Sequence, residues 1–125
     1  MAVHPDMATI QPILITTDLA RLQRFYTDLL GGKEIRRTPA EGEPFFVGID
    51  VGGAELGFVN DADAPTAQGR VVLSIDVEDV DALLPRVAEL GGTANEANDM
   101  PWGQRVAHIQ DPDGNAVNLT QTLSP

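Results

Sequence analysis

The sequence predicts an α+β domain of two tandem βαβββ modules, with a curved mixed sheet around a cleft and helices on its outer face. Two observations predict this class. A pattern of strand, helix and turn signals occurs twice along the chain, and a recurring offset of 61 residues relates the two copies. A chain of 125 residues fits one compact domain made of two such halves.

Each copy, 11–32 and 72–92, contains a strand-like run, an aspartate, an amphipathic helix and a Gly-Gly pair. Asp18 and Asp79 lie 61 positions apart, as do Asp50 and Asp111, which begin two tight turns. An Asp side chain at a helix N-terminus accepts otherwise unpaired backbone N–H groups, and glycine accommodates the left-handed residue that ends a helix. We therefore expect one capped helix in each half.

The apolar residues of both helices recur on one face, which predicts that this face packs in the core. They are Leu19, Leu22, Phe25, Tyr26 and Leu29 in the first helix, and Val80, Leu83, Leu84, Val87 and Leu90 in the second. We expect the Tyr26 hydroxyl at the surface. Pro85 lacks a backbone N–H, so the second helix is expected to start late or to bend there.

The remaining signals complete the two modules. Module 1 is expected over about 8–60, a linker rich in Asp, Ala, Pro and Gly over 61–69, and module 2 over about 70–121. Strands are expected at 13–16, 33–38, 44–49 and 54–60, then at 71–77, 93–97, 104–110 and 116–120.

Composition excludes several classes of function. The net charge of −11 disfavours nucleic acid, since an acidic surface repels phosphates. The absence of cysteine excludes a disulfide framework, a thiolate metal site and a cysteine nucleophile. No apolar run reaches the length of about 20 residues that a membrane span needs, and 1–9 lacks the features of a signal peptide. We expect a cytoplasmic protein that contacts neither membrane nor nucleic acid.

The motifs in these segments resemble those of the vicinal oxygen chelate superfamily, which includes glyoxalase I, extradiol dioxygenases and bleomycin-type resistance proteins. The resemblance runs from about residue 10 to 121. It depends most on Pro101-Trp102-Gly103 followed by Asp111-Pro112-Asp113-Gly114-Asn115, and the openings TDL…FYTDLLGG and VEDVDAL…LGG support it. The resemblance implies a cleft between the modules, and a homodimer in which both chains complete each cleft.

Metal-using members of that superfamily hold the ion with His, Gln or Glu at four positions, two in each module. The resemblance places Gln11 and Gly57 at the positions of module 1, and Val72 and Asn118 at those of module 2. Catalytic divalent-metal sites need several imidazole or carboxylate ligands. The sequence therefore predicts neither a metal, another cofactor nor a catalytic residue.

Strand alternation, applied to both modules with the offset of 61, predicts which side chains face the cleft. We expect Phe45, Val47 and Ile49 in the cleft of module 1 and Phe46 in the core. Trp102 is expected either to stack on a ligand or to brace its loop, and His108 either to contact a ligand or to bond a neighbour. The predicted ligand-binding residues are Gln11, Phe45, Val47, Gly57, Ser74, Trp102, His108 and Asn118.

These features predict metal-independent sequestration of an organic small molecule, such as an antibiotic-like natural product of aromatic or cationic character. Bleomycin-type resistance proteins are the part of the superfamily that this function resembles most. The alternative is a glyoxalase- or dioxygenase-like lyase, isomerase or oxygenase with atypical metal ligands, or a metal-free enzyme that uses His108. A third hypothesis is a domain with a vestigial cleft that acts through its dimer surface.

Overall fold

The computed structural model describes residues 10–64, 69 and 71–124. His4, the first residues expected in each module and part of the expected linker lie outside these ranges. The elements are, in chain order, β1 Ile13–Thr16, α1 Leu19–Leu30, β2 Lys33–Thr38, β3 Phe46–Val51, β4 Ala54–Asn60, β5 Leu73–Asp76, α2 Val80–Glu89, β6 Thr93–Ala94, β7 Asn98–Asp99, β8 Gln104–Gln110 and β9 Ala116–Thr122.

The predicted α+β class and the βαβββ order of each half are confirmed. The strands form two sheets, one in each module, of order β1-β4-β3-β2 and β5-β9-β8-β6, and β7 pairs with β8 beyond β6. The first strand of each module pairs in parallel with the last strand, and the other pairs are antiparallel. No helix within the described ranges is long and apolar enough to cross a membrane.

The offset of 61 that the sequence shows also relates the strand registers. Ile13 on β1 pairs with Gly57 on β4, and Ser74 on β5 pairs with Asn118 on β9. Ser74 follows Ile13 by 61 positions, and Asn118 follows Gly57 by the same number. The two modules therefore repeat one backbone arrangement in their first and last strands.

The helix termini repeat in the same way. The carboxylates of Asp18 and Asp79 cap α1 and α2, as predicted. A second contact ties each helix to the last strand of its module. The Leu19 N–H donates to Asn60 Oδ1 at 3.3 Å, and the Val80 N–H donates to the Gln121 side-chain oxygen at 2.9 Å. Side chains that satisfy these N–H groups hold each helix start against its sheet.

The predicted faces of both helices contribute to one core that spans the modules. The five apolar residues predicted on α1 are buried, as are Val80 and Val87 of α2, while Leu83, Leu84 and Leu90 pack partly buried against them. The two helices also contact each other. The opposite face of each sheet, the open face, is covered by neither helix.

Tyr26 corrects the prediction that its hydroxyl lies at the surface. The side chain is fully buried, and its hydroxyl donates to Asp111 Oδ2 at 2.7 Å. Asp111 begins the turn between β8 and β9, and it is also buried. Its carboxylate accepts three further bonds from within that turn, from the Asp113 N–H, the Asn115 N–H and the Asn115 side-chain amide. The hydroxyl can be buried because module 2 supplies this acceptor.

Two expectations for module 2 were wrong in detail. The α2 helix does not start late: it begins at Val80, where Gln121 and Asp79 accept from the Val80 and Ala82 N–H groups, and Pro85 lies inside it. The strand expected at 93–97 is two short pieces, β6 and β7. Between them Asn95 donates its N–H to the His108 carbonyl, and the pairing with β8 shifts by one residue.

Replacing Gly92 with alanine is expected to destabilise the fold. A Cβ at this position would press on the Gln110 carbonyl oxygen and lie 2.9 Å from Phe25 Cε2 and 3.0 Å from Val87 Cγ1. Overpacking of this kind costs about 1–3 kcal/mol of unfolding free energy. Urea unfolding followed by circular dichroism measures the loss. Gly69→Ala is the matched control, since nothing lies within 4 Å of its Cβ position. Equal midpoints for the two variants would contradict the packing described here.

Burial, followed by the negative charge of Asp111, raises the pKa of Tyr26 far above its usual value. The phenol therefore stays protonated in the folded chain, while the unfolded chain releases its proton above pH ~10. The contribution of Tyr26 to stability is complete below that pH and is lost as the pH rises. We expect the unfolding free energy to fall by about 1.4 kcal/mol per pH unit there.

Alkaline urea denaturation measures this slope. Because Tyr26 is the one tyrosine of the chain, phenolate absorbance reports on it alone. Tyr26→Phe is the control: it should lose this part of the slope and, at neutral pH, about 1–3 kcal/mol through the lost bond to a buried carboxylate. A native phenol that ionises near pH ~10 would refute the burial effect.

Candidate functional site

The open face of module 2 carries two rows of side chains that cross three strands. Ser74, Asn118 and His108 pair in register across β5, β9 and β8, and Asp76, Thr120 and Val106 form the next row. Neighbouring strands lie about 4.8 Å apart, so residues in one row are close enough to share a ligand. The Thr120 hydroxyl donates to Asp76 Oδ1 at 2.9 Å. Five of these six side chains are polar, so the face can form several hydrogen bonds.

His108 and Asn118 form a direct contact on this face. His108 Nδ1 lies 2.6 Å from Asn118 Oδ1. An amide oxygen only accepts, so Nδ1 is the donor in this contact, and Nε2 takes no part in it. His108 is exposed. Both alternatives considered for this residue are thus compatible with its position: it bonds a neighbour and still presents one nitrogen to solvent.

The open face of module 1 is built around two glycines that face each other across β3 and β4, Gly48 and Gly57. A Cβ on Gly57 would lie 3.0 Å from the Phe46 ring and 3.3 Å from Gln11 Nε2. The space beside Gly57 is thus already filled by the Phe46 ring and the Gln11 amide. Ile13 and Ile15 lie on the same face of β1, and each is about half exposed. The part of this face formed by β1 and the Phe46 ring is therefore apolar.

The charged pair on this face is neutralised within the module. The Arg36 guanidinium donates two hydrogen bonds to Glu55, at 2.8 and 3.0 Å. These bonds hold the pKa of Glu55 below its ordinary value. The Glu55 carboxylate lies where a side chain on Gly48 would stand. Glycine at position 48 thus makes room for the ion pair.

The predicted orientation of β3 was wrong. Val47 and Ile49 are fully buried in the core, and the Phe46 ring lies beside Gly57 on the open face. Phe45 precedes β3, where its N–H donates to the Thr38 carbonyl, and its side chain is about half exposed. Val47 is therefore a core residue.

A difference of one residue between the modules explains this error. Gly57 and Asn118 are 61 positions apart, but their partners Gly48 and His108 are 60 apart. The chain from His108 to its partner Asn118 is thus one residue longer than the chain from Gly48 to Gly57. A shift of one residue reverses the face of every side chain in a strand. The offset of 61 therefore predicts the faces of β1 and β4 correctly and those of β3 incorrectly.

Trp102 lies in the turn between β7 and β8. Its indole N–H donates to Gln104 Oε1 at 2.9 Å, and its side chain is 67% exposed. The turn is closed by the Met100 N–H to the Gln104 carbonyl at 2.7 Å and by the Gly103 N–H to the Met100 carbonyl at 3.1 Å. The indole is thus held at one end and offers its ring to solvent.

The structure brings the predicted site residues together in two groups. Gln11 and Gly57 are neighbours in module 1, and Ser74, His108 and Asn118 are neighbours in module 2. No strand pairing among the described residues joins the two sheets. Cavities of about 180 to 460 Å³ open on the described part of the chain, and Ser74 lines one of them.

Phe46 lies on the open face although the sequence placed it in the core. Asp76, which strand alternation predicts on the open face of β5, is absent from the predicted ligand-binding residues. A 60-residue offset relates Phe46 to Val106 on β8, but the turns of the sequence indicate 61. Asp76 lies 61 positions after Ile15. Comparing the modules position by position at that offset reveals the exchange of an apolar side chain for a carboxylate.

The residues at the four positions that hold a metal in metal-using superfamily members do not fit a catalytic divalent cation. Gly57 has no side chain, and Val72 has no donor atom. Gln11 and Asn118 offer neutral amide oxygens, and Asn118 Oδ1 already contacts His108. Such cations bind through several imidazole or carboxylate groups. Within the described ranges, no group of three or more His, Asp or Glu side chains is placed to hold an ion.

Comparison with known proteins identifies the family. The profile of the Glyoxalase/Bleomycin resistance protein/Dioxygenase superfamily matches residues 7–119. No curated protein matches the chain at a significant level.

Solved structures of similar fold include both enzymes and binding proteins. A glyoxalase/bleomycin resistance protein/dioxygenase family enzyme from Burkholderia phytofirmans is 23% identical, with a TM-score of 0.77, over 90% of this chain and 97% of that one. The fosfomycin resistance protein FosX from Mesorhizobium loti is 16% identical, with a TM-score of 0.71, over 90% and 89%. The bleomycin-binding protein of Streptomyces verticillus, crystallised with copper(II)-bleomycin, is 23% identical, with a TM-score of 0.60, over 98% and 100%.

Proposed function

Because the chain belongs to the Glyoxalase/Bleomycin resistance protein/Dioxygenase superfamily, we propose that it binds and sequesters an organic small molecule without a metal ion. The ligand we propose is a natural product of the antibiotic type. The superfamily includes bleomycin-binding proteins and fosfomycin resistance proteins, so it accommodates both sequestration and chemistry.

The observation that carries this proposal is the site around Gly57. In module 1 the Phe46 ring occupies the space beside Gly57, where a metal ligand would stand. In module 2 the corresponding position is Asn118, whose oxygen is engaged by His108. The apolar side chains of module 1, Ile13, Ile15 and Phe46, suit an apolar or flat organic group, and the polar surface of module 2 suits hydrogen bonds. Clefts of this mixed character hold organic ligands.

We propose that two copies of the chain complete each cleft. The open faces of the two modules belong to separate sheets, and the helices of one chain pack together in a shared core. Large apolar side chains remain exposed near the start of the first strand of each module; they are Ile10, Ile13, Ile15, Val71 and Val72. An exposed apolar patch of this kind is typical of a protein interface. In such a dimer, module 1 of one chain faces module 2 of its partner.

Trp102 supplies a contact and a signal for the ligand. Its largely exposed ring, anchored through the indole N–H, is available to stack on an aromatic or cationic group.

The exposed Nε2 of His108 is the group that an enzymatic function would use, because it can accept a proton. The cytoplasmic location remains a prediction from the sequence.

Sequestration predicts binding that needs no metal ion and leaves the ligand chemically unchanged. In titrations of purified protein with a panel that includes metal-free bleomycin, fosfomycin and flat polyketides, a ligand should quench Trp102 fluorescence. The affinity should be the same with and without EDTA, and mass spectrometry should recover the ligand unchanged. Trp102→Ala should weaken binding about tenfold or more in calorimetry, as the loss of a stacking contact worth about 1.5 kcal/mol implies.

Ile35→Ala, which removes an exposed apolar side chain elsewhere, on β2, is the control and should bind normally. Stoichiometric metal in protein purified without chelator would contradict metal-free sequestration and favour an enzymatic function. A product formed in a His108-dependent reaction would do the same.

The second prediction tests the shared cleft. Ile15→Lys alters the open face of module 1 and His108→Glu that of module 2, both at exposed positions. Each variant alone should fail to bind the ligand that the first experiment identifies. When the two are unfolded together and refolded, statistical dimers should regain about a quarter of the wild-type sites, since one cleft of each mixed dimer is intact. No recovery would place each site within one chain, and a monomer in analytical ultracentrifugation would exclude the shared cleft.

A further inference from the structure

The open faces of the two modules have diverged. In two pairs module 1 has the polar side chain: Gln11 and Val72, and Glu55 and Ala116. In five others module 1 has an apolar side chain or glycine and module 2 has a polar side chain. These five pairs are Ile13 and Ser74, Ile15 and Asp76, Gly57 and Asn118, Val59 and Thr120, and Gly48 and His108. Among the five, the exchange of Ile15 for Asp76 is the one that introduces a carboxylate.

Asp76 is held in place without being neutralised. The Thr120 hydroxyl donates to Oδ1 at 2.9 Å, and Thr120 itself is buried, which restricts the carboxylate to one orientation. No Lys, Arg or His among the described residues forms an ion pair with Asp76. The carboxylate of module 1, Glu55, differs in this respect, because Arg36 binds it through two hydrogen bonds. Asp76 is thus an exposed, oriented anion.

Asp76 also lies where two adjoining cavities meet, of about 320 and 460 Å³. Both cavities are bounded by Leu30, Val51 and Ile75, and the smaller one also by Leu56 and Leu73. The ionisable residues that line them are all carboxylates: Glu55, Asp76, Glu78 and Asp79. An apolar surface with an unpaired carboxylate at its edge complements a ligand that has an apolar body and a positive end.

We propose that Asp76 recognises a protonated amine, amidine or guanidine group of the ligand, at the edge where the polar open face of module 2 meets the apolar cavity bounded by Val51 and Leu73. The inference rests on the proposed function, since it assigns the class of the ligand that the open face of module 2 binds. A cation with N–H donors forms charge-assisted hydrogen bonds with a carboxylate, which are stronger than those between neutral groups. The neighbouring Ser74 hydroxyl and the His108 Nε2 are further acceptors for such donors.

The test uses three probes of one shape and different charge: benzamidine, benzamide and benzoate. Dissociation constants come from chemical-shift titrations of the full-length, isotope-labelled protein. We expect benzamidine to bind about tenfold more tightly than benzamide and benzoate to bind least, with the largest shifts at Ser74, Asp76 and Thr120. Asp76→Asn keeps an oxygen that can accept from the Thr120 hydroxyl. In this variant benzamidine should bind with the same dissociation constant as benzamide, and that of benzamide should equal its wild-type value.

Glu96→Gln is the matched control, because it removes the same charge from an exposed residue of module 2 that lines neither cavity. It should retain the preference for benzamidine. If both variants lost the preference for benzamidine to the same extent, the net charge of −11 would explain it and the proposal would be overturned. Chemical-shift changes centred on other residues would also overturn it. A thermal melt of Asp76→Asn that matches the wild type confirms that the variant is folded.

The outcomes separate this inference from the proposed function. If a natural product binds equally well to the wild type and to Asp76→Asn, sequestration stands and the role of Asp76 is refuted. If benzamidine binds at Asp76 but no natural product of the panel binds, the cation site stands and the proposed function is refuted.

Discussion

The carboxylate of Asp111 is the interaction on which the arrangement of the two modules depends. It accepts four hydrogen bonds, three from its own turn and one from the buried hydroxyl of Tyr26 on α1. A buried carboxylate is stable only when its acceptors are satisfied, so the turn and the helix each require the other. Nearby, Arg21 reaches Asp113 of the same turn at 2.7 Å. Module 1 is therefore tied to the end of module 2 that leads into β9, the strand that carries Asn118.

The same packing determines which surfaces remain available for function. With both helices engaged in one core, the open faces of the sheets carry the residues that are free to diverge. Glycine at positions 48 and 57 makes room in module 1 for the Glu55 carboxylate and the Phe46 ring, and polar side chains turn module 2 into a hydrogen-bonding surface. Duplication thus supplies one backbone twice, and substitution at matched positions gives the two copies complementary chemistry. A ligand with one apolar and one polar side matches both.

Much of the fold can be predicted from the sequence because its signals are local. Asp18 and Asp79 cap their helices as predicted, since a capping carboxylate needs only the backbone N–H groups a few residues away. The buried face of α1 follows from helical periodicity alone. The pairing of β8 with β9 follows from their alternation and from the turn between them, and it places His108 beside Asn118. Local periodicity also puts Val117 and Leu119 in the core.

The sequence alone determined the class, the two modules and the caps of their helices. Only the tertiary structure decided the orientation of β3, the burial of Tyr26 and that no cationic side chain among the described residues pairs with Asp76. The physical reason is the same in each case. Which side chains of a strand face the core depends on its register with the neighbouring strand. One extra residue between the two strands shifts that register by one. A buried hydroxyl depends on an acceptor 85 residues away along the chain. A carboxylate is free or neutralised according to its neighbours in space, which adjacent residues along the chain do not reveal.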